Sequence, residues 1–265
     1  MTEATIRAGI FVSVLIAMLA WEHVAAVRAV VAPVWRRRLA NLALALIGTV
    51  VVRLAVPASL ATVAYFAATH GIGLFNHLTV PGVVSWITTV VVLDLAVYLQ
   101  HRAFHRWAIF WRLHAVHHAD TTFDVTTGVR FHPVEIALSL VWKGAVVALL
   151  GAPAGAAVLF ELVLSVTALI THGNVQLPVR VEQWVRVVFV TPSLHRIHHS
   201  RMPDERERNY GFSLSAWDRL FRTYRAAARV SDRDLQIGLA GVLPQGASSL
   251  SAMLLLPFRL GTSRR

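Results

Sequence analysis

Apolar residues in this chain fall in long runs, with polar residues gathered between them, and no strict alternation of the kind a half-buried strand shows. A helix that crosses a bilayer needs about 20 mainly apolar residues. The run from about Ala8 to Val31 meets that need, with Glu22, His23 and Arg28 marking its end. No small-residue cleavage site follows Ile6–Trp21, so it reads as a retained helix and not as a signal peptide. A second run starts near Leu39 and reaches Tyr65–Ala68, with Arg53 inside it and a kink predicted at Pro57. Gly71, Gly73 and Pro81-Gly82 then supply turns. The third run, about Val83–Gln100, holds one acid, Asp94.

A polar, histidine-bearing stretch, His101–Pro133, precedes two further runs, Val134–Leu150 and Ala154–Ile170, and Gly151-Ala152-Pro153 joins these as a helical hairpin. From His172 onward the chain is polar and basic, apart from an apolar patch at Met253–Phe258 that reads as interfacial. The pattern predicts an all-α, multi-spanning membrane bundle of about four to five spans or hairpin helices, topped by a histidine-rich helical cap. Three regions follow: N-terminal transmembrane helices over 1–82, a di-metal domain over 83–230 and a C-terminal tail over 231–265.

Composition agrees with the spans. Only 15% of the 265 residues are charged and 56% are hydrophobic, with mean hydropathy +0.58. A soluble domain carries about 25% charged residues, so a water-facing globule is a poor fit. The net charge of +11 is read as membrane topology rather than nucleic-acid binding, because basic residues beside apolar spans mark the cytoplasmic side. With Arg36-Arg37-Arg38 inside, successive spans bring His101, His172 and the whole C-terminal region to that same face. That argument makes no use of the histidines, yet it places every histidine cluster together.

Three motifs carry the chemistry: His101-Arg-Ala-Phe-His105, His114-Ala-Val-His117-His118 and His195-Arg-Ile-His198-His199. On a helix, residues i and i+4 share a face, so His101 and His105 aim at one point. In each H-x-x-H-H motif the first histidine pairs with both the i+3 and i+4 residues, giving two ligands to one metal and one to a neighbour. Eight imidazoles exceed what one ion accepts and suit two. The chain has no cysteine, so any metal sits on His, Asp or Glu. His172 and His132 flank the hairpin as a further ligand or as supporting groups. Asp94, Asp120, Asp124, Glu135 and Asn174 are candidates to orient the rings from their second nitrogen. His23, His70 and His77 read as interfacial residues. Glu161 and Lys143 read as a structural ion pair within the hairpin, and Arg201–Arg208 as a solvated loop.

With these motifs on the page, the chain resembles the fatty acid hydroxylase / sterol desaturase superfamily of membrane-bound di-iron oxygenases. The resemblance runs from about Asp94 to Arg225, roughly half the chain. It takes in Asp94-Leu-Ala-Val-Tyr-Leu-Gln-His101, Trp111-Arg-Leu-His-Ala-Val-His-His118, Arg130-Phe-His-Pro-Val-Glu135, Thr191-Pro-Ser-Leu-His-Arg-Ile-His-His199, Asn209-Tyr-Gly-Phe and Ser215-Ala-Trp-Asp-Arg-Leu-Phe. It implies His101, His105, His114, His117, His118, His172, His195, His198 and His199 as metal ligands, with His132, Asp94 and Asn174 as additional ligands or supporting groups. Many members carry Phe-Gly-Thr-Tyr after the tryptophan motif, where this chain has Phe221-Arg222-Thr223-Tyr224. The first motif's three-residue spacing is closer to the sterol-oxidase-like and alkylglycerol monooxygenase-like branches than to the fatty acid 2-hydroxylases.

The resemblance implies two iron ions (zinc as an occupant on purification), dioxygen as co-substrate and oxidation of a lipid C–H bond, hydroxylation ahead of desaturation. No cytochrome b5-like domain accompanies the motifs in these residues. A separate electron donor is therefore expected, whether ferredoxin, a cytochrome b5-like protein or a reductase. Two other classes are weighed against this one. A membrane zinc hydrolase would need a glutamate base in an H-E-x-x-H motif, which is missing. A metal transporter or sensor would place its site near the bilayer midplane, and these histidines lie at the boundary.

Overall fold

The computed structural model describes residues 3–29, 34–56, 58–242 and 248–260, and among them all regular structure is helical. The helices are α1 (Glu3–Ala25), α2 (Val34–Ala55), α3 (Leu60–Thr69), α4 (Gly82–Arg106), α5 (Ala108–His118), α6 (Pro133–Leu150), α7 (Ala154–Thr171) and α8 (Val179–Val188). Four shorter ones follow: α9 (Pro192–His198), α10 (Pro203–Arg206), α11 (Ala216–Leu220) and α12 (Leu250–Arg259). Among the described residues, five segments are long and apolar enough to cross a membrane: α1, the stretch Val34–Asn76 holding α2 and α3, α4, α6 and α7. Their outward faces carry large apolar side chains such as Leu54, Val83 and Leu149. Such surface suits lipid, where burying apolar groups from water is the driving force.

The expected spans shift at their ends. The first helix stops at Ala25 instead of running to Val31, α2 starts at Val34 and so includes the three arginines, and α4 continues to Arg106. The extension of α4 matters most, because it puts His101 and His105 on continuous helix. The predicted kink at Pro57 lies outside the described residues. The hairpin α6–α7 appears as expected: Gly151, at φ +63, closes α6 in the left-handed conformation that glycine adopts freely.

Helices α6 and α7 form the centre. Helix α2 packs on α6, α1 on α7, and α3 and α4 on both. Leu60, Leu93, Val97, Val147 and Phe160 fill the space between α3, α4, α6 and α7. Above this bundle, α5 packs on α4 and on α12. The C-terminal apolar patch is therefore not merely interfacial: Met253 and Leu256 are buried in a cluster with Leu44, Ala115 and Val116.

Buried charge ties α2 to the cap. Arg37 is 5% exposed; it bonds Asp120 at 2.6 Å and also pairs with Asp124. Arg38 reaches Asp124 at 2.8 Å and Glu22 at 3.1 Å. Glu22 in turn accepts from the backbone N–H groups of Val125 and Asn174. Burial works against the charge on Asp120, but the Arg37 and Arg130 guanidiniums hold it well below the usual carboxylate range. The arginine triplet, read from sequence as a topology signal alone, is thus also a packing element, and Arg37 is its buried member.

Candidate metal centre

Two turns at the end of α4 carry His101 and His105, and α5 carries His114, His117 and His118. His172 caps the C-terminus of α7. Helix α9, started by Thr191 at its N-cap and Pro192 in its first turn, presents His195 and His198, with His199 as its C-cap. All nine rings are buried. They converge in two groups, His101, His105, His114, His118 and His198 in one, and His117, His172, His195 and His199 in the other, with candidate ligand atoms inside each group within 4.8 Å of one another. The i and i+4 members of each H-x-x-H-H motif fall together and the i+3 member crosses to the other group. Residues at i+3 and i+4 both neighbour the first histidine on a helix, so it is the packing of α4, α5, α7 and α9 together that decides which ring crosses.

The ring hydrogen bonds fix where the protons are. Nδ1 of His101 donates to the Tyr210 carbonyl at 2.8 Å and Nδ1 of His198 to the Arg208 carbonyl at 2.7 Å. A carbonyl only accepts, so in the neutral ring each Nε2 is a bare lone pair. These two Nε2 atoms lie 3.0 Å apart. Nδ1 of His172 donates to the Ala168 carbonyl at 2.7 Å, and its Nε2 faces His117 Nε2 at 3.1 Å and His195 Nε2 at 3.0 Å. Lone pairs brought this close repel one another, and a shared cation satisfies them. Burial favours the neutral, ligating form: His114 and His172 are pushed down to about 3, and His117, His118, His195, His198 and His199 fall well below the ordinary imidazole range. Neutral imidazole is what iron and zinc bind, so the donor set fits two such ions.

Of the carboxylates expected to orient rings, Glu135 does so, accepting from His114 Nδ1 at 2.6 Å. Asp120 and Asp124 bind arginines instead. Asp94 makes no hydrogen bond to a motif histidine among the described residues; it accepts from Trp217 Nε1 at 2.8 Å and Leu214 N at 3.3 Å, and so moors α11 to α4. Asn174 exchanges hydrogen bonds with the backbone of Arg28, and His132 caps α6 by accepting from Val134 N. These three stand outside both histidine groups.

The stretch Arg201–Arg208 is a solvated loop only in part: six of its eight residues are exposed, but Glu205 and Arg206 are buried on the single turn of α10. Buried Glu205 accepts from Ser200 Oγ at 2.6 Å and Arg229 N at 2.7 Å, while Arg206 lies over the Trp111 ring at 4.9 Å. Glu207 accepts from the Tyr210 hydroxyl at 2.8 Å and faces His105 Nδ1 at 3.5 Å. The Tyr210 ring meets His101, His105 and His198 edge-on, at 5.2 to 5.8 Å between centroids. Asn209, at φ +53, makes the turn that positions Tyr210, a conformation its short polar side chain tolerates. Gly211 then passes so near Asp218 that a Cβ would lie 2.7 Å from its carboxylate. Glu207 and Tyr210 are site residues that sequence reasoning missed. Their signal, a Glu-x-x-Tyr spacing beside the Asn-Tyr-Gly-Phe motif, was present but carried no helical periodicity.

A cavity of about 330 Å³ leads from His101, His114 and Glu135 between α1, α2, α4, α6 and α7, with Phe11, Thr49, Ile136 and Leu164 in its walls. It also reaches Ser139 and Lys143 on α6. The ion pair expected between Lys143 and Glu161 is absent among the described residues: Glu161 instead accepts from Arg7 of α1 at 2.8 Å.

A model of the fatty acid hydroxylase family matches residues 86–223, a span that contains all nine histidines. The ornithine lipid hydroxylase OlsE of Rhizobium tropici is 32% identical over 169 residues, covering 64% of this chain and 49% of that protein. The alkylglycerol monooxygenase of Caenorhabditis elegans is 30% identical over 148 residues, covering 54% of this chain and 27% of that protein. The human alkylglycerol monooxygenase is 26% identical over 148 residues, 54% of this chain and 31% of its own length. The chain thus spans about half the length of the first relative and under a third of the other two. No solved structure matches.

Proposed function

The chain belongs to the fatty acid hydroxylase family, and from that premise we propose that it oxidises a lipid C–H bond with dioxygen, by hydroxylation, at a pair of iron ions. His101, His105, His114, His118 and His198 would hold one ion and His117, His172, His195 and His199 the other. Iron bound there supplies the activation of dioxygen and the oxidising power that no side-chain acid or base possesses. The observation that carries the reading is the convergence of buried, neutral imidazole lone pairs at the foot of a largely apolar cavity.

The protein's own part is to hold and to exclude. Glu135, Glu207 and the carbonyls of Tyr210, Arg208 and Ala168 fix ring tautomers from the far nitrogen, which keeps each Nε2 free to ligate. Tyr210 and Glu207 border the five-histidine group, the tyrosine ring edge-on to His101, His105 and His198 and the carboxylate facing His105. A lipid enters along the cavity between α1 and α2 and is brought to the histidines by apolar contact. The names of the relatives suggest lipids of the ornithine or alkylglycerol kind as substrates. On this reading electrons come from a separate donor protein, and the basic residues around the cap support a cytoplasmic location for this end of the molecule.

Metal analysis and Mössbauer spectroscopy of anaerobically purified, iron-supplemented protein test the reading. One iron per histidine group, exchange-coupled, is the expected result. Zinc alone, with no iron uptake and no reaction with dioxygen after reduction, would overturn it.

A further inference from the structure

Helix α6 carries a polar stripe into the apolar part of the bundle. Glu135, Ser139 and Lys143 follow one another at intervals of four residues, so one face of the helix presents all three. All three line the cavity that touches His101 and His114. At 1.5 Å rise per residue, Lys143 stands ~12 Å along the helix from Glu135. Two members of the stripe have partners in the protein: Glu135 accepts from His114 at 2.6 Å and Ser139 donates to Gln100 at 3.2 Å. Lys143 has no hydrogen-bond or ion-pair partner among the described residues. The carboxylate whose charge acts on it is Glu161, and that group is held by Arg7 at 2.8 Å, while Arg7 itself also reaches Glu3 at 3.2 Å.

A cation at bilayer depth is costly, and ionisable residues there face cavities and pair with what passes through them. A counter-ion that the protein does not provide at the cavity wall is one that a ligand can. We propose that Lys143 anchors the anionic oxygen group, a carboxylate or phosphate, of an amphiphile whose chain lies along the cavity toward the histidines. The inference rests on reading this cavity as the place where the oxidised lipid binds, and it narrows that lipid to one with an ionised oxygen group. The distance along α6 sets which carbon is presented. The carbon at the histidine end lies about two helical turns from the charged group, so chain length between the two becomes a selected property.

Equilibrium binding to the purified full chain in neutral detergent tests this, with three probes that share one sixteen-carbon chain: hexadecanoate, hexadecyl phosphate and hexadecanol. At least one anion should bind wild type tighter than hexadecanol by about thirtyfold or more, the effect of satisfying a buried charge, and the tighter of the two identifies the head group. Lys143→Met should remove that preference while leaving hexadecanol affinity within about twofold, and Lys143→Arg should retain part of it. Equal binding of all three probes by wild type would overturn the proposal, as would an unchanged anion preference in Lys143→Met. The wild-type comparison decides even where the variant fails to fold. Iron content is measured alongside: a wild type that takes no iron but prefers the anion loses the oxygenase reading and keeps Lys143, and an iron-loaded protein indifferent to the anion does the reverse.

Discussion

The two histidine groups are built to different standards of support. In the five-histidine group, His101, His198, His114 and His105 each have an acceptor facing Nδ1, two of them backbone carbonyls and two of them carboxylates. In the four-histidine group only His172 has such an acceptor; Nδ1 of His117 and His195 and both nitrogens of His199 are buried without a hydrogen-bond partner among the described residues. The second group is held by packing, with His117 stacked on Phe131 at 4.4 Å and His199 on His118 at 4.4 Å. The comparison teaches that the rings of the larger group are fixed mainly by hydrogen bonds and those of the smaller group mainly by packing, so an ion should add more to the orientation of the second than of the first.

The largest expected effect breaks the comparison outright. His195→Ala leaves three rings in the smaller group, and that variant should lose one metal equivalent on purification. His118→Ala leaves four rings in the larger group and should keep both equivalents at raised iron, and metal analysis reads both results. Next, Glu135→Ala frees the His114 ring, and metal affinity of the larger group should fall about 10–100-fold, seen in competitive chelation. A comparable loss from the smaller group would show that the two are not supported separately.

An acid titration sharpens the contrast. His172 and His114, with values pushed to about 3 in the folded protein, accept protons more readily unfolded, where histidine sits near 6.5. Metal-free protein should therefore be fully stable above pH ~6.5 and lose stability as the pH falls toward about 3. Bound metal should move that loss to lower pH, with the four-histidine group releasing its ion first. Thermal unfolding and metal release followed across pH check both statements. The smallest effect concerns Arg222, which sits at φ +59, a conformation that glycine adopts freely. Arg222→Gly should raise stability by at most ~1 kcal/mol, since relief of left-handed strain is partly offset by glycine's freedom in the unfolded chain. Denaturant unfolding would show it, with metal content unchanged.

Much of this architecture is legible in the sequence, because spans and histidine faces obey local rules. Run length marks α4, α6 and α7, and the helical spacing gathers the motif histidines and predicts that each H-x-x-H-H motif divides two to one, whereas which ring crosses, His117 and His198, is read from the structure. What was not legible depends on pairing over long separations. The partner of Glu161 is Arg7, 154 residues away in sequence, and not the Lys143 that hairpin geometry suggests. Nothing local reveals that Arg37 is buried against Asp120, or that Glu205 and Arg206 are buried while the rest of 201–208 is exposed. A run of mixed charge looks the same to sequence reasoning whether water or protein surrounds it.

Arg37 leads a double life in time. It leaves the ribosome 83 residues ahead of Asp120, an interval of about ten seconds at ordinary rates of synthesis. During that interval its charge is unspent and can be counted when the first helices choose their direction across the bilayer. Once Asp120 and Asp124 arrive, the same guanidinium is withdrawn into the interior and becomes a clasp between α2 and the segment that follows α5. The guanidinium that a positive-inside reading counts as a topology signal is thus, in the folded chain, a fastening, and its replacement should be felt in the packing of the cap on α2.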